Sequence, residues 1–157
     1  MTKRLRVFAG PNGSGKSSII KKILNTEVQK GTKLDFGIYI NADDIAKELY
    51  KRSCSFSKYE VNFIEDEFHK IVNESGLINE NFTKERFEEC IVVENNKLTV
   101  KKDASERIDD KPYERIAQII ADYLRKKLLF TRKKCPPAPP KVMILACCAL
   151  VHCVAKP

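Results

Sequence analysis

Eight residues near the start of the chain, Gly10-Pro11-Asn12-Gly13-Ser14-Gly15-Lys16-Ser17, limit what it can fold into more than any other feature. They match the pattern G-x-x-x-x-G-K-[ST] in full, and they stand between an apolar run, Leu5 to Ala9, and a helical pattern from Ser17 to Leu24. A run of that kind reads as a buried parallel strand feeding a phosphate-binding loop. Glycines let the backbone turn its N–H groups toward phosphate oxygens, and the following helix start adds positive potential. In such a loop Lys16 reaches the β- and γ-phosphates of a nucleoside triphosphate and Ser17 ligates Mg²⁺, with Ser18 in the same first turn. The expected ligands are therefore ATP and Mg²⁺, held by Gly10 to Ser18.

Further along, Phe36 to Ile40 is a second strand candidate, so that two strands around one helix make a βαβ unit. Asn41-Ala42-Asp43-Asp44 follows it, and Ile45 to Tyr50 begins another helix. Ser57-Lys58-Tyr59-Glu60 has capping-box spacing ahead of an apolar stripe of Phe63, Ile64, Phe68, Ile71 and Val72, which predicts a third helix up to about Asn73. Glu89 to Val100 reads as a hairpin around Asn95-Asn96, residues that tolerate positive φ. Tyr113 to Leu129, opened by Asp110 and Pro112, is the clearest helix in the chain.

The fold class this predicts is α/β: a Rossmann-like P-loop NTPase with a parallel sheet, flanking helices and an inserted helical and hairpin segment at about residues 53 to 110. The core would run over residues 1 to 134. Residues 135 to 157 change character, with Pro136 to Pro140, four of the six cysteines, and an almost uncharged run from Val142 to Ala155. That run is too short to span a bilayer. It reads as a foreign continuation or as a last buried strand.

At 157 residues and 43% apolar content the chain suits one domain that needs no staples. Its net charge of +8 favours anionic partners. Basic pairs such as Lys21-Lys22 and Lys101-Lys102 read as a solvated face and do not decide the function, and nucleic acid is not the expected main ligand. No signal-peptide core follows Met1, so reduced thiols, a cytoplasmic location and no membrane are expected. Cys147, Cys148, His152 and Cys153 fit no familiar zinc spacing, and His69 reads as a surface residue without a role.

Asp43 lies just beyond a strand end, where a parallel α/β fold places its crevice. It suits a general base that deprotonates a hydroxyl attacking the γ-phosphate; equally, Asp43 or Asp44 suits a helix cap.

Gly10 to Ser18 together with Tyr39-Ile40-Asn41-Ala42-Asp43-Asp44-Ile45-Ala46 resembles the zeta-toxin-like P-loop kinases, over roughly residues 3 to 130. The resemblance implies a kinase that transfers the γ-phosphate of MgATP to a hydroxyl of a small molecule such as a UDP-amino sugar. Lys16 and Asp43 take the catalytic positions, Ser17 the metal position, and an antitoxin protein is a possible partner. The family's Phe-Glu-Thr strand and its arginine-rich region have no counterpart here, since Arg132 is the last arginine in the sequence. Two alternatives follow: a polynucleotide 5'-hydroxyl kinase, and a catalytically incomplete nucleotide-binding module.

Overall fold

A computed structural model describes residues 5–8, 14–29, 32–33, 37–101, 112–130 and 142–145. The chain divides into two compact units, one of Met1–Tyr39 with Ala138–Pro157 and one of Ile40–Pro137.

In the first unit, strand β1 (Leu5–Phe8) leads toward helix α1 (Lys16–Leu24). Both elements were expected. On α1, however, only Ile20 is buried; Ile23 and Leu24 are half-buried around it with Tyr39, and Ile19 is 51% exposed rather than inward. Ile19 lies one residue, about 100°, from Ile20 around the helix and is not part of the apolar group that Ile20 forms with Ile23, Leu24 and Tyr39. Strands β2 (Glu27–Gln29) and β3 (Thr32–Lys33) pair antiparallel where the sequence reads as a plain connection. Strand β4 (Ile38–Asn41) carries the chain into the second unit.

The second unit begins with helix α2 (Ala42–Lys51), which buries Ile45, Ala46 and Leu49 at i, i+1 and i+4. Strand β5 (Cys54–Ser55) and a 3₁₀ turn (Phe56–Tyr59) follow, and Glu60 ends that turn in the left-handed region at φ 55°. The capping box expected at Ser57–Glu60 is therefore a 3₁₀ turn. Helix α3 (Glu65–Glu74) starts later, from Ile64, which offers no side-chain cap. What opens it is three carboxylates in the first turn, Glu65, Asp66 and Glu67, which complement the helix dipole.

Helix α4 (Lys84–Cys90), absent from the sequence reading, is capped by Thr83, whose hydroxyl accepts from the Arg86 N–H at 3.2 Å. It runs directly into strand β6 (Ile91–Glu94), which turns through Asn95 and Asn96 into strand β7 (Lys97–Val100). Both asparagines have positive φ, 50° and 61°, as a two-residue hairpin requires. Helix α5 (Pro112–Phe130) buries Tyr113, Ile116, Ala117, Ile119, Ile120, Tyr123, Leu124 and Leu128. It packs on α2, where the rings of Tyr50 and Tyr113 stack at 3.9 Å. The centre of this unit is aromatic: Phe56, Phe63, Phe68 and Tyr123 meet at centroid distances of 5.0 to 6.5 Å. Each such side chain withdrawn from water stabilises the fold by roughly 1.5–3 kcal/mol.

The architecture departs from the expected P-loop NTPase. Among the described residues there are five α-helices, and the sheet of the larger unit is three-stranded and antiparallel, in the order β5-β7-β6. Parallel pairing of β1 with strand β8 (Val142–Leu145), Leu5 opposite Val142 through Phe8 opposite Leu145, extends over four residues. It does not amount to a parallel-sheet P-loop core. The physical reason lies in the segment first read as an insertion. Residues 97–100 alternate along β7, with Leu98 and Val100 buried and Lys97 and Thr99 exposed. A two-residue left-handed turn then forces the strands antiparallel. The β6–β7 half of the sheet is thus built locally and needs no helical crossover.

Candidate functional site

Gly10, Pro11, Asn12 and Gly13 lie outside the described residues, as do Arg107, Arg132 and the group Cys147, Cys148, His152 and Cys153. The second half of the loop is described. Gly15 precedes α1 at φ 78°, ψ 10°, a conformation that costs an L side chain roughly 1–2 kcal/mol. A Cβ built at Gly15 would meet nothing within 4 Å, so backbone conformation, not crowding, is what selects glycine there.

Lacking a side chain, Gly15 cannot cap the helix, and no acidic residue stands in the first turn of α1. Its carbonyl accepts from the Ile19 N–H at 3.0 Å, which closes the first turn. Such an N-terminus is electropositive and suits an anion. Lys16 is half-buried, its Nζ 3.4 Å from the Ser14 hydroxyl, while Ser14, Ser17 and Ser18 are exposed. The structure thus brings Ser14, Gly15, Lys16, Ser17 and Ser18 together around one helix start.

Asp43 belongs to the second unit, where it is exposed in the first turn of α2. The cap of that helix is Asn41, not Asp43 or Asp44. Asn41 is extended at φ −139°, 5% exposed, and its side-chain oxygen accepts from the Asp43 N–H at 3.2 Å. This arrangement leaves the Asp43 carboxylate unused by the cap, while Asp44 lies 3.5 Å from Lys47 on the helix surface. The sequence contained the signal for Asn41, a cap-forming side chain directly after an apolar strand. His69 is half-buried rather than a plain surface residue, with Nε2 3.8 Å from Glu65.

Ser17, the hydroxyl expected to ligate Mg²⁺, is exposed in the first turn of α1; such an ion commonly takes one or two protein ligands and fills the rest with water and phosphate oxygens. Among the described residues no group of three His, Cys, Asp or Glu side chains is placed to hold a metal ion. Both described cysteines, Cys54 and Cys90, are buried and outside any disulfide. Burial, and then the nearby Glu48 carboxylate, push the Cys54 thiol up to about 12. It is an inert core group rather than a nucleophile.

Compared with protein-family models, curated proteins and solved structures, the chain matches none of them. Its reading therefore rests on its own residues. No helix among the described residues is long and apolar enough to cross a membrane.

Proposed function

We propose that residues 10 to 18 bind the phosphates of MgATP and that the chain is a kinase of zeta-toxin type, which transfers the γ-phosphate to a hydroxyl of a small molecule such as a UDP-amino sugar. The observation that carries this reading is the start of α1: a left-handed Gly15, no carboxylate in the first turn, and Lys16 and Ser17 side by side there. In the proposal the backbone N–H groups and Lys16 hold the β- and γ-phosphates, and Ser17 completes the Mg²⁺ shell. Asp43, whose carboxylate the Asn41 cap leaves unengaged, is the base that takes the acceptor's proton in the chemical step. The phosphate-binding part of the reading depends on the loop and its helix and not on a parallel-sheet core, while the role of Asp43 rests on the resemblance of residues 39 to 46 to the zeta-toxin-like kinases. A cytoplasmic setting without membrane attachment belongs to the same proposal, as does an antitoxin partner.

A second reading, nucleotide binding without turnover, rests on the same start of α1, because the features that suit phosphate there do not themselves require transfer. Incubation of the chain with labelled ATP and separate pools of UDP-sugars and 5'-hydroxyl oligonucleotides distinguishes the cases. Label in the sugar pool supports the small-molecule kinase, and label in the oligonucleotide pool replaces it with a polynucleotide kinase. Label in neither, with MgATP bound, selects the binding module; no MgATP binding at all overturns both readings.

A further inference from the structure

A groove of about 860 Å³ opens in the second unit between α3 and the hairpin β6–β7. Its apolar floor comes from Phe63 and Phe68 on one side and Ile91 and Val93 on the other. Around it stand the carboxylates of Glu65, Glu88 and Glu94. On a chain of net charge +8 this is a local reversal of sign. The partners of these carboxylates are loosely placed: His69 Nε2 is 3.8 Å from Glu65, Lys84 is 3.8 Å from Glu88, and Lys97 is the cross-strand neighbour of Glu94. Exposed pairs at such distances leave carboxylates available to a new partner.

The groove borders an open strand edge. In the order β5-β7-β6, strand β6 is terminal among the described strands. The two-residue turn makes Glu94 and Lys97 a hydrogen-bonded pair, and the register then alternates, so that Val92 bonds Thr99 while Val93 faces Leu98 without bonding it. The N–H and C=O of Val93 therefore point away from β7. No described hydrogen bond engages them. Edge strands are ordinarily blunted by a bulge, lysine or proline, and Ile91-Val92-Val93-Glu94 has none of these.

We propose that this groove binds an extended peptide segment of a partner protein, which adds a strand to β6 and carries apolar residues flanked by lysine or arginine. Backbone pairing to Val93 would supply the register, since strand addition derives its affinity from main-chain hydrogen bonds and its selectivity from alternate side chains. One apolar side chain would rest on Phe63, Ile91 and Val93, and the basic residues would meet Glu65, Glu88 and Glu94. Charge complementarity selects a basic occupant over an acidic one. This site is independent of the nucleotide reading.

The test uses the full ¹⁵N-labelled chain and an alternating lysine–valine pentapeptide, with a glutamate–valine pentapeptide and a lysine–valine peptide N-methylated on its central residues as controls. Binding of the parent peptide should shift the amide resonances of His69, Ile91 and Val93, and each control should bind at least about tenfold more weakly, as loss of a backbone hydrogen bond or of favourable charge implies. Val93→Pro removes an outward-facing N–H that β7 does not use, a position where an edge strand tolerates proline. That variant should retain its thermal melt and lose peptide binding. If it fails to fold, the N-methylated peptide on the unaltered chain still decides. Equal binding of the acidic peptide, undiminished binding of the N-methylated one, or shifts confined to other residues would overturn the proposal. So would dimers of the chain alone whose sedimentation depends on Val93, because the edge would then belong to a second copy.

Discussion

The side-chain oxygen of Asn96 accepts a hydrogen bond of 2.7 Å from the backbone N–H of Phe63, a residue 33 positions earlier in the chain. Its amide nitrogen donates to the Ser57 hydroxyl at 2.8 Å and to the Val61 carbonyl at 3.0 Å, and its own carbonyl accepts from the Phe56 N–H at 3.0 Å. One left-handed turn residue thus closes the hairpin and also holds the 3₁₀ segment that delivers Phe56 and Phe63 to the aromatic centre.

Asn96→Ala should therefore destabilise the second unit by about 2–4 kcal/mol, which combines several lost hydrogen bonds with the cost of alanine at positive φ. Asn96→Gly keeps the backbone conformation and should cost about 1 kcal/mol less than the alanine variant. Denaturant titration of both variants checks the ordering; two equal losses would show that the side-chain bonds alone matter.

Tyr123 is buried in the aromatic cluster, and its hydroxyl accepts from the Ile64 N–H at 2.9 Å, at the entry to α3. Tyr123→Phe keeps the ring but leaves that donor without its partner, so stability should fall by about 1–2 kcal/mol. Amide exchange at Ile64 should quicken more than exchange in the middle of α5. Unchanged exchange there would show that the hydroxyl does not anchor the helix start.

The raised Cys54 thiol gives stability a definite dependence on pH. Its folded value, about 12, lies above that of an exposed thiol, near 8.5, so the native state keeps a proton that the unfolded chain releases. The contribution is fully present below about pH 8.5 and is lost as pH rises toward 12, at up to about 1.4 kcal/mol per pH unit. Tyr59, raised by burial and then by Cys54 and Glu48, adds a loss in the same direction at higher pH. Urea melts from pH 8 to 10.5 should show the decline, and Cys54→Ala should flatten its first part. A decline identical in that variant would trace the effect to other groups.

For the proposed nucleotide site, Lys16→Ala should weaken MgATP binding about 10- to 100-fold, as loss of a charge-assisted contact implies, while leaving the thermal melt unchanged. Asp43→Asn should leave ATP affinity intact and lower transfer by about 10²- to 10⁴-fold, the share a general base contributes. Calorimetry and label transfer separate the two. A loss of binding in Asp43→Asn equal to its loss of transfer would move Asp43 from base to metal ligand.

Local chemistry was the legible part of this chain. The hairpin at Asn95-Asn96, the start of α1 at Lys16 and the long helix α5 follow from turn residues and helical period, which act over a few residues. Assembly was less legible. The antiparallel sheet depends on Cys54 meeting Leu98, a pairing across 44 positions that no local pattern marks. Helix α4 was hidden because Lys84 to Cys90 is mostly polar and its cap, Thr83, follows a turn held by Asn79, whose side chain accepts from Asn81 and Phe82. Asn41 outcompeted the aspartates as cap because it sits at the strand's last, extended residue, a boundary set by the β4 backbone. The four-residue parallel match of β1 with β8 joins segments more than 130 positions apart. In the sequence that pairing was one of two readings of the same apolar run.

Two-residue hairpin turns are the places where chains are commonly cut, tagged or circularly permuted, because their tips carry little. The turn at Asn95 and Asn96 is the exception that the hydrogen bonds of Asn96 create. An epitope or fluorescent domain spliced between these two residues would separate the strand ends and also release the backbone that seats Phe56 and Phe63. A split-protein design broken at this turn would yield two fragments that each lack the other's scaffold, and they would recombine only as one cooperative event.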